Sequence, residues 1–231
     1  MRQSAARHIG AFTKALRSLQ ELYEKFNRRT PEDFKDLQPE FPHPRCYTTL
    51  DGKNHRFKYI SILQDSKLLF VVETDAGERL CVKFVRTYAP TVHEQCAALG
   101  ISPPLRGFNA VPGGWHMVVM DLLEEYECLH GVKRNLSDEE KERLREELGS
   151  KLRDLHQKNS VHGDVRDANV MVRRGKLEWR LVDFDWSGEI GEVRYPMNVN
   201  RGPGLRRPKD ALDGELILVD HDMEMLHYLF D

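Results

Sequence analysis

Ala5, Ile9, Phe12, Leu16, Leu19, Tyr23 and Phe26 recur at steps of four and three. That spacing keeps all seven on one stripe of an amphipathic helix. Arg7, Lys14, Arg17, Glu21 and Lys25 fill its other faces. Such a stripe packs against the rest of the chain, or meets a partner protein or a membrane surface. Thr30-Pro31-Glu32-Asp33 has the form of a helix N-cap followed by proline, which predicts a short helix through Leu37. Pro39, Pro42 and Pro44 then keep the chain extended, and a boundary falls near residue 45.

Beyond it the pattern changes to runs of strand formers. Residues 57–62, 68–72 and 80–85 are rich in β-branched and aromatic side chains, with a turn at residues 74–78. They predict an antiparallel meander. Residues 91–99 have helical composition and stop at Gly100, a good C-terminal signal. A hairpin follows, turning at Pro112-Gly113-Gly114 and returning through residues 115–122. The count is five strands with one helix inserted after the third.

Ser137 and Glu140 form a capping box, with Asp138 and Glu139 in the first turn. Leu144, Leu148, Leu152 and Leu155 make the buried stripe of a helix that runs to about Gln157. Short strands are expected around residues 170–172 and 180–182, joined at Gly175. Residues 186–214 are rich in glycine and proline and read as loop, and a last helix is expected to begin near Asp222.

Composition narrows the classes. A chain of 231 residues with 40% hydrophobic side chains builds one domain or two small lobes, which excludes wholesale disorder. The formal net charge of -2 gives no overall attraction to nucleic acid. Cys46, Cys81, Cys96 and Cys128 include no C-x-x-C pair, so neither a zinc site nor a disulfide scaffold is implied. They read as reduced thiols of a cytoplasmic or nuclear protein. No apolar run reaches the roughly 20 residues that span a bilayer, and the N-terminus does not resemble a secretory signal.

Chemistry concentrates in Val161-His162-Gly163-Asp164-Val165-Arg166-Asp167-Ala168-Asn169, between the capped helix and a strand. Leu181-Val182-Asp183-Phe184-Asp185 follows, and upstream Lys83 stands in a strand with Glu94 on the next helix. In this order the pieces resemble the protein-kinase-like superfamily, over roughly residues 55 to 228. The H-G-D form of the loop, and Gly100-Ile101-Ser102-Pro103-Pro104-Leu105, look more like the aminoglycoside and choline kinases and the small atypical protein kinases.

The resemblance implies an α+β, two-lobed fold: a five-stranded antiparallel N-lobe sheet with one helix, and a mainly helical, truncated C-lobe. Residues 1–45 form an N-terminal helical extension, 46–123 the N-lobe and 124–231 the C-lobe. ATP and Mg²⁺ are the implied cofactors. Asp164 is the implied catalytic carboxylate, which orients the incoming hydroxyl. Arg166 brings charge near the γ-phosphate, where protein kinases carry a lysine. Lys83 contacts the α- and β-phosphates, with Glu94 holding its ammonium. Asn169 and Asp183 hold the metal, as hard oxygen ligands suit Mg²⁺. The backbone of Asp121, Leu122 and Leu123 meets the adenine, and Asp222 braces the catalytic loop.

There are departures. Residues 62–68 lack the glycines of a phosphate-covering loop, and Asp185 replaces the glycine of D-F-G. No serine or threonine follows Ser187, so a segment switched by Ser/Thr phosphorylation is not expected. The basic loop 201–209, with Arg206 and Arg207, is either a solvated loop or a contact for an anionic substrate. The implied activity is phosphoryl transfer to a protein serine or threonine. The alternatives are a small-molecule kinase and a pseudokinase scaffold that holds a partner protein through the N-terminal helix.

Overall fold

The computed structural model describes residues 2–27, 44–64, 67–173, 175–176, 178–202 and 204–230. The chain divides into two compact units, Met1–Pro44 and Arg45–Asp231. The first contains α1 (Arg2–Asn27). Phe12, Leu16 and Leu19 of its apolar stripe are 66%, 47% and 48% exposed. The short helix expected after Thr30, and Pro39 and Pro42, lie outside the described residues. No helix among the described residues is long and apolar enough to cross a membrane.

The second unit opens with an antiparallel sheet of six strands, where five were expected. These are β1 (Cys46–Thr48), β2 (Asn54–Gln64), β3 (Leu69–Thr74), β4 (Arg79–Val85), β5 (Leu105–Val111) and β6 (Trp115–Asp121), in the order β1-β2-β3-β4-β6-β5. The added strand is β1, whose three residues are too few to show an alternation. It pairs Tyr47 with His55 and Thr48 with Asn54. Its other side meets β5. Thr48 N donates to Asn109 Oδ1 at 3.0 Å, and Asn109 Nδ2 donates to the Thr48 carbonyl at 2.9 Å. A Cβ at Gly107 would stand 2.7 Å from the Thr48 carbonyl oxygen, so only glycine permits this approach.

Strand alternation sorts β4 by face. Leu80, Val82 and Phe84 join Phe57, Phe70 and Met117 in one apolar cluster. Cys81 and Val85 join Leu105, Val118 and Met120 in another. Lys83 has the parity of Cys81 and Val85, so it shares their face. The helix α2 (Pro90–Ala98) follows β4 and buries Val92, His93 and Cys96.

The remainder contains β7 (Tyr126–Cys128), α3 (Leu129–Val132), α4 (Asp138–His156), β8 (Ser160–Val161), β9 (Val170–Arg173), β10 (Trp179–Leu181), β11 (Gly188–Glu189) and α5 (Val219–His227). It was expected to be mainly helical. Among the described residues only α4 and α5 exceed four residues, and five short strands form a β10-β9-β7 sheet and a β11-β8 pair. The long glycine- and proline-rich stretch before α5 carries no helix among its described residues, which lowers the helical share. The capping box on α4 is present, with Glu140 N donating to Ser137 Oγ and Ser137 N to Glu140 Oε2. Leu144, Leu148, Leu152 and Leu155 are fully buried and pack with Val165, Leu181, Phe184 and Leu226. α5 begins at Val219, three residues before the expected start.

Candidate active site

β8 leads into His162-Gly163-Asp164, and α5 holds this turn from below. Both Asp222 carboxylate oxygens accept backbone bonds, from His162 N and Gly163 N, each at 2.8 Å. His156 Nε2 lies 3.0 Å from the same carboxylate. Gly163 has φ +84°, and a Cβ there would stand 2.6 Å from the Trp186 carbonyl oxygen. Glycine therefore occupies this position for two physical reasons, backbone sign and close approach.

Asp164 is buried and triply held. Its Oδ2 accepts from Asn169 Nδ2 at 2.8 Å and from Arg166 Nε at 3.0 Å. Its Oδ1 accepts from Arg207 Nη2 at 2.8 Å. A 3-10 turn at Asp167–Asn169 brings Asn169 back toward Asp164. Asn169 Oδ1 is buried and has no hydrogen-bond partner.

The Asn169 carbonyl accepts from Val182 N at 2.9 Å, which ties this loop to Asp183. Asp183 adopts φ +75°, a left-handed conformation rare outside glycine. Its carboxylate takes Lys83 Nζ at 2.7 Å and Lys67 Nζ at 2.8 Å. Lys83 also reaches Asp185 Oδ1 at 2.5 Å. Beside these groups lies a cavity of about 640 Å³. Leu69, Val71, Met120 and Met171 contribute apolar walls, and Lys67, Lys83 and Asp183 contribute charge. Asp121, Leu122 and Leu123 line it as well.

No protein-family profile matches the chain, and no curated protein matches it in sequence. Solved structures do. The PK-1 kinase of the Cydia pomonella granulovirus superposes with a TM-score of 0.52 at 23% identity, over 58% of this chain and 53% of that one. Vaccinia related kinase 3 superposes with a TM-score of 0.55 at 15% identity, over 84% of this chain and 69% of that one. The chain has a protein-kinase-like fold. It spans about half the length of the granulovirus kinase it matches.

Within this kinase-like fold, Asp164, Arg166 and Asn169 gather on one loop. Lys83 and Asp183 meet at the cavity. Glu94 does not join them: it is exposed and makes no ion pair among the described residues. One residue of helix turns a side chain by about 100°. The inward position on α2 belongs to its neighbour His93, so Lys83 is held by Asp183 and Asp185 instead. Lys67 was missed, though its signal was a lysine in the segment where glycines were sought. Arg207 belongs to the basic loop already singled out, but its contact with Asp164 could not be read from sequence.

The charges oppose burial. Burial alone would raise the Asp183 carboxyl, but the ammoniums of Lys83 and Lys67 overcome it and hold it below the usual carboxylate range. Asp185 goes the other way. Burial and then the Asp183 charge push it up to about 6, against Lys83.

His93 stacks on Phe184 with centroids 4.5 Å apart. Its Nε2 lies 2.7 Å from the Pro103 carbonyl oxygen and its Nδ1 2.8 Å from the Tyr88 hydroxyl. Burial lowers its pKa from 6.5 to about 4. A folded value below the unfolded one gives stability that is whole above pH 6.5 and lost as pH falls toward 4. Asp185, raised from 3.8 to about 6, acts in the opposite sense across that interval, losing stability as pH rises. The difference between two proteins isolates the histidine. In urea melts at pH 7.5 and pH 5, wild type is expected to lose on the order of 1–2 kcal/mol more than His93→Gln. Equal losses would refute a neutral, buried imidazole.

Proposed function

We propose that this chain is an ATP- and Mg²⁺-dependent phosphotransferase acting on protein serine or threonine hydroxyls. The reading is carried by one hydrogen-bonded path. It runs from Asp164 through Asn169 and Val182 to Asp183 and Lys83, beside a cavity of about 640 Å³. That volume suits a small-molecule site. Asp121, Leu122 and Leu123 would meet the adenine, and Lys83 and Lys67 the phosphates.

In the transfer, the bond from the γ-phosphorus to the ADP oxygen breaks as the acceptor oxygen bonds to phosphorus. The hydroxyl proton passes to the Asp164 carboxylate. Arg166 and Arg207 hold that carboxylate in place, and positioning of this kind supplies much of the rate. Asn169 and Asp183 would hold Mg²⁺. The unpartnered, buried Oδ1 of Asn169 and the ionised Asp183 carboxylate are the hard oxygens that such a cation takes. Among the described residues no three His, Cys, Asp or Glu side chains cluster. A cation that keeps its waters and shares phosphate oxygens needs no such cage. When bound, it supplies neutralisation of charge on the phosphate oxygens.

A small-molecule kinase is the second reading, favoured by the H-G-D form of the loop with Gly163 at φ +84°. Thermal melts with Mg·ATP test the common core. At a ligand concentration of 100 times Kd, wild type should gain about 2.7 kcal/mol. Asp183→Asn should lose the Mg-dependent part of that gain. If no nucleotide stabilises wild type, both readings fail. Binding without transfer to any acceptor would leave a scaffold.

A further inference from the structure

A second cavity, of about 240 Å³, is lined in part by Arg166, the residue whose Nε donates to Asp164. Lys133, Arg166 and Arg206 line it, with Asp167 as the single carboxylate among the lining residues. Lys133 Nζ is 3.0 Å from Asp167 Oδ2, so this acid is already paired with a cation, and His130 Nδ1 lies 2.8 Å from the same oxygen. Arg206 is stacked on the Tyr228 ring at 4.2 Å, which sets its guanidinium plane.

Arg166 is the link. Among the described residues only its Nε is engaged, on Asp164 at 3.0 Å. Both Nη groups lack a protein partner among the described residues, which leaves a fork suited to two anionic oxygens. Asp164 needs no further cation, because Arg207, whose side chain is 3% exposed, already neutralises its other oxygen. The space is smaller than the roughly 300–1,000 Å³ of a whole-ligand site. It fits one charged group of a larger molecule.

We propose that this cavity is an acceptor subsite for an anionic group, a phosphate or a carboxylate, carried by the molecule whose hydroxyl lies at Asp164. The inference rests on the phosphotransferase reading and names its substrate class. Preferred acceptors carry negative charge close to the reacting hydroxyl, and bind through Arg166 and Arg206.

The test uses the full chain and two sets of acceptors. Serine peptides carry glutamate, phosphoserine, glutamine or lysine at each position within three residues of the acceptor. Glycerol 3-phosphate is compared with glycerol. Acidic acceptors are expected to show at least a tenfold higher kcat/KM than neutral ones, mostly through KM. The peptide or the small-molecule set identifies which substrate carries the charge. Arg206→Glu and the milder Arg206→Gln should shrink or invert this preference and leave the KM for ATP unchanged. Equal use of acidic and neutral acceptors in both sets overturns the subsite and leaves phosphoryl transfer standing. If nothing is phosphorylated, anisotropy of labelled peptides decides. A tenfold preference for acidic peptides that Arg206→Glu removes supports the subsite, and equal binding overturns it.

Discussion

Asp222→Ala will unfold about 3–5 kcal/mol more easily than wild type, the cost typical of breaking a buried charged network. Asp222 is 1% exposed and satisfies two buried backbone N–H groups, those of His162 and Gly163. Truncation strands both. Each stranded donor costs about 1–3 kcal/mol, because no water reaches it. His156 Nε2 loses its partner as well. Asp222→Asn keeps one acceptor oxygen and should cost less. Urea denaturation at pH 7.5 reads both variants as a shift in midpoint at constant slope. A loss below about 1 kcal/mol for the alanine variant would show that the loop is held by other means. Asp164 follows Gly163 directly, so the proposed transfer activity should also be lost in the alanine variant even where it remains folded.

On the proposed phosphotransferase reading, Asp164→Asn will lower kcat about 10²–10⁴-fold, the range of general-base contributions. Mg·ATP stabilisation should persist, because Lys83, Lys67 and Asp183 are untouched. The amide oxygen can still accept one hydrogen bond from Arg207 or Asn169, so the shape of the loop survives. It cannot take up the hydroxyl proton. Phosphate incorporation from labelled ATP, followed beside thermal melts of the same samples, separates chemistry from folding. Undiminished transfer by a folded Asp164→Asn protein would remove this carboxylate from the mechanism.

Much of the site was legible because its pieces are local. The capping box of α4 needs only Ser137 and Glu140, three residues apart. The loop from His162 to Asn169 orders its own groups, with Asn169 reaching Asp164 five residues back. Lys83 was legible as a lysine inside an apolar strand, but its partner was not. Glu94 was chosen from an eleven-residue separation, whereas the ammonium is held by carboxylates 100 and 102 positions away. The sixth strand was hidden for a similar reason. β1 is three residues long, and part of its hydrogen bonding comes from Asn109, 61 positions on.

The sequence by itself determined the longer helices, the five longer strands of the large sheet and the order of the reactive residues. Hydrophobic period, caps and turn glycines act between near neighbours, where the chain has few alternatives. Tertiary structure alone decided which charges meet. Arg207 reaches Asp164 across 43 positions, and Lys67 reaches Asp183 across 116. No local pattern encodes such pairs. They are selected by burial, which makes an unpaired charge costly and leaves each buried cation with the carboxylate that the fold brings to it.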